Sequence, residues 1–296
     1  MRKVKIPKGG KGYRLIYIPN KREMRKLRRL AGALRTISLA RCNLSVVHGF
    51  LPGRNPVTNA SAHIGYKHTL SMDLKDFFES CTMDKYEHPM VKAIGLTPKT
   101  FEYAMVDGAA RQGLPTSPHM SNIAAIPLDH SLSNLVGCLQ DRVAYTRYAD
   151  DLTFSCNDKH TLECVKAAVI DIAEGLGFTV NKRKTKMYHA SCGRRKVTGL
   201  SVGDKDVRPT RKMRRRYRSA THQRKLSKPP PLYASNKDRV AVFTAWYKGK
   251  VVARHRGLSE AMKCKRPNKG TPLDRTRELA GHASEKYHEM IELALM

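Results

Sequence analysis

Tyr148-Ala149-Asp150-Asp151 constrains this chain more than any other stretch. Adjacent carboxylates repel, and each raises the other's pKa unless something neutralises the pair. On either side lie β-branched and aromatic runs, Val143-Ala144-Tyr145-Thr146-Arg147-Tyr148 and Leu152-Thr153-Phe154-Ser155. They predict a β-hairpin with the acids at its tight connection. An Asx-type turn on a solvated hairpin would account for the pair with no function attached. Two divalent cations would neutralise it and supply chemistry as well.

The rest of the chain is strongly basic: 56 Lys and Arg face 25 Asp and Glu over 296 residues, a net charge of +31. Such a balance makes a polyanion the expected partner, nucleic acid before anionic membrane. No apolar stretch approaches the roughly 20 residues a membrane span needs. The N-terminal Met1-Arg2-Lys3-Val4-Lys5 has no apolar signal core behind it, so a cytosolic location is expected. Seven scattered cysteines, none in a CxxC pair, argue against a disulfide framework or structural zinc.

Along the chain, Tyr13-Arg14-Leu15-Ile16-Tyr17-Ile18-Pro19 reads as a strand, and Lys21 to Leu39 as a basic amphipathic helix. Gly49 to Asn59 reads as a loop. Thr69 to Leu74 reads as a strand, and Lys75-Asp76-Phe77-Phe78 as the start of a helical turn. Ser117-Pro118 predicts a helix start with Ser117 as cap; the helix runs toward Leu139 with a kink or break at Pro127. Ala167 to Leu176 is helical and stops at Gly177. Strand, helix, hairpin, helix and strand in this order predict an α+β fold, a sheet with helices on one side. From Asn181 to Lys228 there are 18 Lys or Arg against two Asp. Residues 1–203 are read as one unit and 204–296 as a mostly helical, basic C-terminal subdomain, interrupted by Pro229-Pro230-Pro231.

Asp73, at the end of an apolar strand, is either a helix cap or a third acid. With Asp150 and Asp151 it gives three carboxylates able to hold two Mg²⁺ ions roughly 3.5–4 Å apart. Octahedral Mg²⁺ takes its other ligands from water and substrate phosphates.

The motifs also carry a family likeness. Ser71-Met72-Asp73-Leu74-Lys75-Asp76-Phe77-Phe78, Gln112-Gly113-Leu114-Pro115-Thr116-Ser117-Pro118, Tyr148-Ala149-Asp150-Asp151 and Asn181-Lys182-Arg183-Lys184-Thr185 resemble, in order and spacing, four blocks of reverse transcriptases. Asn59-Ala60-Ser61-Ala62-His63 resembles the NAxxH element of retron reverse transcriptases, and Val197-Thr198-Gly199 their VTG element. The resemblance implies a right-hand polymerase with fingers and palm in 1–203 and a basic thumb in 204–296. It implies that Asp73, Asp150 and Asp151, aided by the Leu74 carbonyl, bind two Mg²⁺, with Mn²⁺ as a substitute. Phe78 would exclude a 2′-OH, Gln112 and Gly113 would shape the nucleotide pocket, and Arg14, with Lys11, would neutralise the triphosphate. Lys184 would protonate the leaving pyrophosphate or contact the RNA backbone. Asn59, His63, Val197, Thr198 and Gly199 are assigned to the RNA partner, as are Arg211, Arg214, Arg215, Arg216 and Arg218. Tyr217, Tyr233 and Trp246 could stack on unpaired bases.

The partners so implied are a cognate structured noncoding RNA serving as template and primer, its cDNA product, deoxynucleotides, and a separate effector protein in defence against phage. Priming would start from a guanosine 2′-OH. A group II intron enzyme usually carries a longer N-terminal block, and a diversity-generating enzyme ends its second block in SQ where this chain has Ser117-Pro118. A silent RNA-binding scaffold would fit the basic C-terminal region but leaves three clustered acids without a reason.

Overall fold

The two runs around the acidic pair form the expected hairpin in the computed structural model, which describes residues 1–7, 12–215 and 218. The chain begins with strands β1 (Arg2–Pro7) and β2 (Tyr13–Ile18), helices α1 (Lys21–Arg41) and α2 (Pro56–Ser61), and strand β3 (His68–Asp73). Short helices α3 (Met83–Glu87), α4 (Pro89–Lys92) and α5 (Pro98–Ala104) lead to α6 (Ser117–Ala124) and α7 (Ile126–Gly137). Strands β4 (Ala144–Tyr148) and β5 (Asp151–Cys156), helix α8 (Lys159–Gly175), and strands β6 (Lys186–His189), β7 (Arg195–Val197), β8 (Leu200–Val202) and β9 (Val207–Pro209) follow.

β4, β5, β3 and β6 make an antiparallel sheet in that order; β1–β2 form a separate ribbon and β7–β8–β9 a small third sheet. Register gives the central sheet two unlike faces, because side chains alternate along each strand. Leu70 and Met72 pair with Phe154 and Leu152, and Tyr145 and Arg147 extend the same row on β4. This face joins the main core with Leu128 and Leu132 of α7 and Leu162, Val165 and Val169 of α8. The other face carries Thr69, Ser71, Thr146, Thr153 and Ser155, and ends in Asp73 and Asp151.

Helix α1 starts at a reciprocal cap in which Asn20 accepts from the Glu23 N–H and Glu23 from the Asn20 N–H. It buries Leu27, Leu30, Leu34 and Ile37 at helical spacing. The helix after Ser117 is divided where Pro127 demands: α6 ends at Ala124, and α7 restarts with the proline in its first turn, where no N–H is needed.

Several local expectations are corrected. The cap position is Thr116, while the Ser117 hydroxyl instead donates to Arg111 O at 2.6 Å and accepts from Arg111 N–H at 3.0 Å. Residues 75–80 form turns rather than a helix. The stretch read as a loop to Asn59 contains α2, which Asn55 caps through two backbone N–H groups. The break at 203/204 cuts through a sheet, since β9 pairs with β8 and Val207 is buried with Val202 and Val197. Val57 and Ala60 of α2 complete that second small core. The Pro229-Pro231 bend and most of the basic subdomain lie outside the described residues, as do Lys11, Arg216, Tyr217, Tyr233 and Trp246.

One charged residue lies at the centre of the apolar face. Arg147 is fully buried and forms a two-pronged pair with Asp129 of α7, Nε to Oδ1 at 2.8 Å and Nη2 to Oδ2 at 2.6 Å. Burial opposes its charge, but the Asp129 carboxylate reverses that and shifts the guanidinium's pKa upward overall. Its third arm reaches Asn122 Oδ1 at 3.1 Å and the Ala149 carbonyl at 3.2 Å. Removing one partner would strand the other charge in the core. Arg147→Met is therefore expected to lower unfolding free energy by roughly 3–5 kcal/mol, and Arg147→Met/Asp129→Leu to lose much less than the sum of the two single changes. Urea denaturation midpoints of the four proteins check this.

Candidate active site

Three carboxylates meet where the polar face of the central sheet ends. Asp73 and Asp151 sit opposite each other across β3 and β5, and Asp150 occupies the turn between β4 and β5. That turn has only two residues, so Ala149 adopts a left-handed backbone with φ 57°. The Leu74 N–H donates to the Asp150 carbonyl at 2.9 Å and ties the turn to β3. Gly49 packs against the same turn so closely that a Cβ would come within 2.5 Å of the Ala149 nitrogen.

The acids are held against their own repulsion. Burial, then Asp150 and Asp73, push the Asp151 carboxyl up to about 7. Asp150 is also raised, first by burial and then by Asp73, with Lys184 and Arg14 opposing. Lys184 Nζ donates to both oxygens of Asp73, at 2.8 and 3.0 Å, and this contact raises its own pKa. Asn181 supports the same acid from its backbone N–H to the Asp73 carbonyl at 2.7 Å. Among the described residues no three His, Cys, Asp or Glu groups close into a cage for a metal. Carboxylate oxygens at an open edge are the donor chemistry that hard cations such as Mg²⁺ take alongside water and substrate ligands.

A cleft of about 800 Å³ opens beside these acids. Arg14 of β2, Gln112, Phe78, Phe50, Asp150 and Lys184 are among its walls. Both Phe77 and Phe78 border the cleft; Phe77 is buried in the core, while Phe78 packs against that core and stays half-exposed. A second groove of about 350 Å³ runs from Asp73 and Asp151 past Lys184 and Lys186 to Lys196, Thr198 and Gly199. A third, of about 630 Å³, shares Lys196 and Gly199 and continues over Arg194, Arg208, Arg211 and Arg214. The acids thus stand at the junction of a cleft and a cationic trough.

This arrangement has counterparts. The family profile described as reverse transcriptase (RNA-dependent DNA polymerase) matches residues 6–225. The chain belongs to the reverse transcriptase family. The Retron Mx65 reverse transcriptase of Myxococcus xanthus is 32% identical over 262 residues, covering 80% of this chain and 59% of the relative. The Retron Mx162 reverse transcriptase of the same organism is 34% identical over 218 residues, covering 62% and 44%. The Retron Ec86 reverse transcriptase of Escherichia coli is 30% identical over 219 residues, covering 72% and 65%. The chain therefore spans from under half to about two thirds of the length of these relatives. Apo telomerase from Candida tropicalis, truncated from its C-terminal domain, superposes with a TM-score of 0.51 at 15% identity over 71% of this chain and 54% of that one. The shared fold is that of a right-hand polymerase.

The structure gathers Asp73, Leu74, Asp150, Asp151, Lys184, Arg14, Phe78 and Gln112 around the cleft. Gly113 lies behind it: with φ 105°, a Cβ there would collide with the Tyr17 carbonyl, and the Tyr17 N–H donates to Gln112 O at 2.8 Å. Its smallness joins the Gln112 loop to β2 and so positions Arg14.

Asn59 and His63, expected to meet RNA, are fully buried. Asn59 Nδ2 donates to Thr198 Oγ1 at 2.9 Å, which links the NAxxH and VTG elements directly. His63 bonds Ser155 Oγ at 2.9 Å and Thr146 Oγ1 at 2.8 Å. Val197 is core, whereas Thr198 and Gly199 form the two-residue turn between β7 and β8, both left-handed, at φ 43° and 72°. Arg211, Arg214, Arg215 and Arg218 line a basic surface. Residue-pattern reading missed Arg147, Asp129, Asn122 and Gly49; the available signal was an arginine inside a strand otherwise suited to burial.

Burial first, then His48 and Arg195, bring the His63 pKa down to about 3. The unfolded chain therefore takes up this proton near pH 6.5 and the folded one does not, so stability from this group falls as pH drops through 6.5 toward 3. At pH 5 the loss is about 2 kcal/mol. His63→Gln is expected to flatten the fall of unfolding free energy between pH 7 and 5, measured by denaturant titration at both pH values. An unchanged slope would contradict neutral burial.

Proposed function

We propose that this chain is an RNA-directed DNA polymerase of the retron type. The observation that carries the proposal is the meeting of three carboxylates with a nucleotide-sized cleft on one side and a cationic trough on the other. Asp73, Asp150, Asp151 and the Leu74 carbonyl would hold two Mg²⁺, replaceable by Mn²⁺, which would supply activation of the attacking oxygen and neutralisation of the leaving pyrophosphate. Arg14 pairs with the triphosphate as it enters the cleft. The Phe78 ring stands where a ribose 2′-OH would clash with it, and Gln112 borders the base.

The primer hydroxyl loses its proton to solvent and forms a bond to the α-phosphorus as the bond to pyrophosphate breaks. Lys184, held beside Asp73, gives its proton to the departing oxygen and regains one from solvent. The trough from Lys186 and Lys196 to Arg211 and Arg214 carries template and product by their phosphates. In this reading the template and primer are one structured noncoding RNA, copied from a guanosine 2′-OH into single-stranded DNA that remains branched. Kinship with the retron enzymes of Myxococcus xanthus and Escherichia coli supports that substrate, and an anti-phage role with a separate effector is part of the same proposal. No helix among the described residues is long and apolar enough to cross a membrane, and cytosolic action is part of the proposal.

The test is extension on the protein's own RNA with deoxynucleotides and Mg²⁺. Wild type should make DNA joined to RNA through a 2′–5′ linkage, and Asp150→Ala/Asp151→Ala should slow the reaction by roughly 10³-fold or more, on the scale of removing a major electrostatic stabiliser. Equal inactivity of both proteins would refute the enzyme reading, and unbranched products the priming reading. RNA affinity supplies a separate check. Replacing Arg211, Arg214 and Arg215 by Ala should weaken binding and lower the slope of log K against log salt by about 0.7–0.9 for each phosphate no longer neutralised.

A further inference from the structure

Phe50 combines three properties that rarely coincide. Its backbone is left-handed at φ 63°, a conformation that bulky side chains avoid. Its ring is 37% exposed rather than packed away. That ring also stands in the wall of the cleft that holds Arg14, Gln112 and Asp150. A strained, exposed aromatic persists only where its surroundings over-determine it.

The surroundings do so on both sides. Before it, Gly49 is pressed against the Ala149 nitrogen, and its carbonyl accepts from Asn122 Nδ2 at 3.0 Å. The Oδ1 of the same Asn122 accepts from Arg147, which also bonds the Ala149 carbonyl. The His48 N–H donates to the Arg147 carbonyl at 2.8 Å. After it, Leu51 is buried in the main core. Phe50 is thus mounted on the turn that presents Asp150.

Its ring ends a row of aromatics that leads out of the core. Phe178 lies 6.0 Å from Phe77 between ring centroids, Phe77 6.1 Å from Phe78, and Phe78 5.9 Å from Phe50. Phe77 is buried, so it packs against Phe78 from the core side, and the exposed Phe50 is the neighbour of Phe78 on the open side. A gap of 5.9 Å with a 35° tilt is direct packing. No base fits between the two rings.

We propose that Phe50 is a positioning residue for sugar discrimination: it holds the Phe78 ring in place and couples it to the turn bearing Asp150. Without Phe50, Phe78 can swing outward, away from the sugar, and a 2′-OH is tolerated. This inference rests on the reading of Phe78 as the sugar gate.

The experiment measures kcat/KM for a deoxynucleotide and for the matching ribonucleotide on one primed RNA template. Phe50→Gly removes the ring and also relieves the left-handed backbone, so the variant keeps its means of folding. It should lower the deoxy-to-ribo ratio by about 10-fold or more, the scale of one pocket contact in substrate discrimination, and Phe50→Tyr should keep the wild-type ratio. In a Phe78→Ala background, Phe50→Gly should change the ratio no further. If Phe78→Ala relaxes discrimination but Phe50→Gly does not, or if both substrates are lost alike, the inference fails. Additive effects of the two changes would also overturn it, since Phe50 would then touch the nucleotide itself. If Phe78→Ala leaves the ratio intact, the gate reading fails instead.

Discussion

The buried guanidinium of Arg147 is the contact on which the geometry of this site depends. A charge in an apolar core is tolerated only when fully paired, and here each arm of the guanidinium has a separate task. Two arms lock β4 to α7 through Asp129, and the third reaches the Ala149 carbonyl at the tip of the acidic turn. Asn122, shared with that third arm, passes the constraint to Gly49. The turn that carries Asp150 is therefore fixed from beneath by the core, while its upper side stays open to the cleft. Local strain at Ala149 and Phe50 is tolerated because this network leaves the backbone no alternative.

The same rigidity explains how like charges stay together. Asp151 is raised to about 7 by burial and by its two neighbours, which means the fold holds the acids closer than they would settle alone. The basic surface does not cancel them: among the described residues, Lys184 is the cation that bonds Asp73. Positive charge elsewhere lies along the trough, from Lys186 and Lys196 to Arg211 and Arg214.

How far the residue pattern could reveal this depended on the kind of signal. The hairpin at Tyr148-Ala149-Asp150-Asp151 was legible because alternation and a tight turn are local, and so was the break at Pro127, which follows from a missing N–H. Asp73, Asp150 and Asp151 could be grouped through their motifs. The partnership of Arg147 with Asp129 could not be, because it joins α7 to β4 through tertiary packing alone. Ser117 was misread as a cap because its hydroxyl turns to Arg111, a choice made by the loop around Gln112. The division at 203/204 falls between two paired strands. Composition changes near Lys182, but the chain continues into β9 and pairs back onto β8 before the described part of the basic region begins.

Asn59 and Thr198 show how a motif can matter without touching a ligand. They are 139 positions apart and share one hydrogen bond. Thr198 is β-branched, and its φ of 43° is a conformation such residues strongly resist. Asn59 is fully buried, so its amide has no water to turn to and offers the Thr198 hydroxyl a fixed donor. Around this bond, Ala60 and Val197 pack in one small core, while His63 fastens the residues after α2 to the polar face of the central sheet. The tip of the β7–β8 turn is thereby set at a definite place in the groove beside Asp151 and Lys184. Each motif alone would leave that tip free to relax. The pairing of the two in one chain is accounted for by the geometry they impose on a turn that neither could hold without the other.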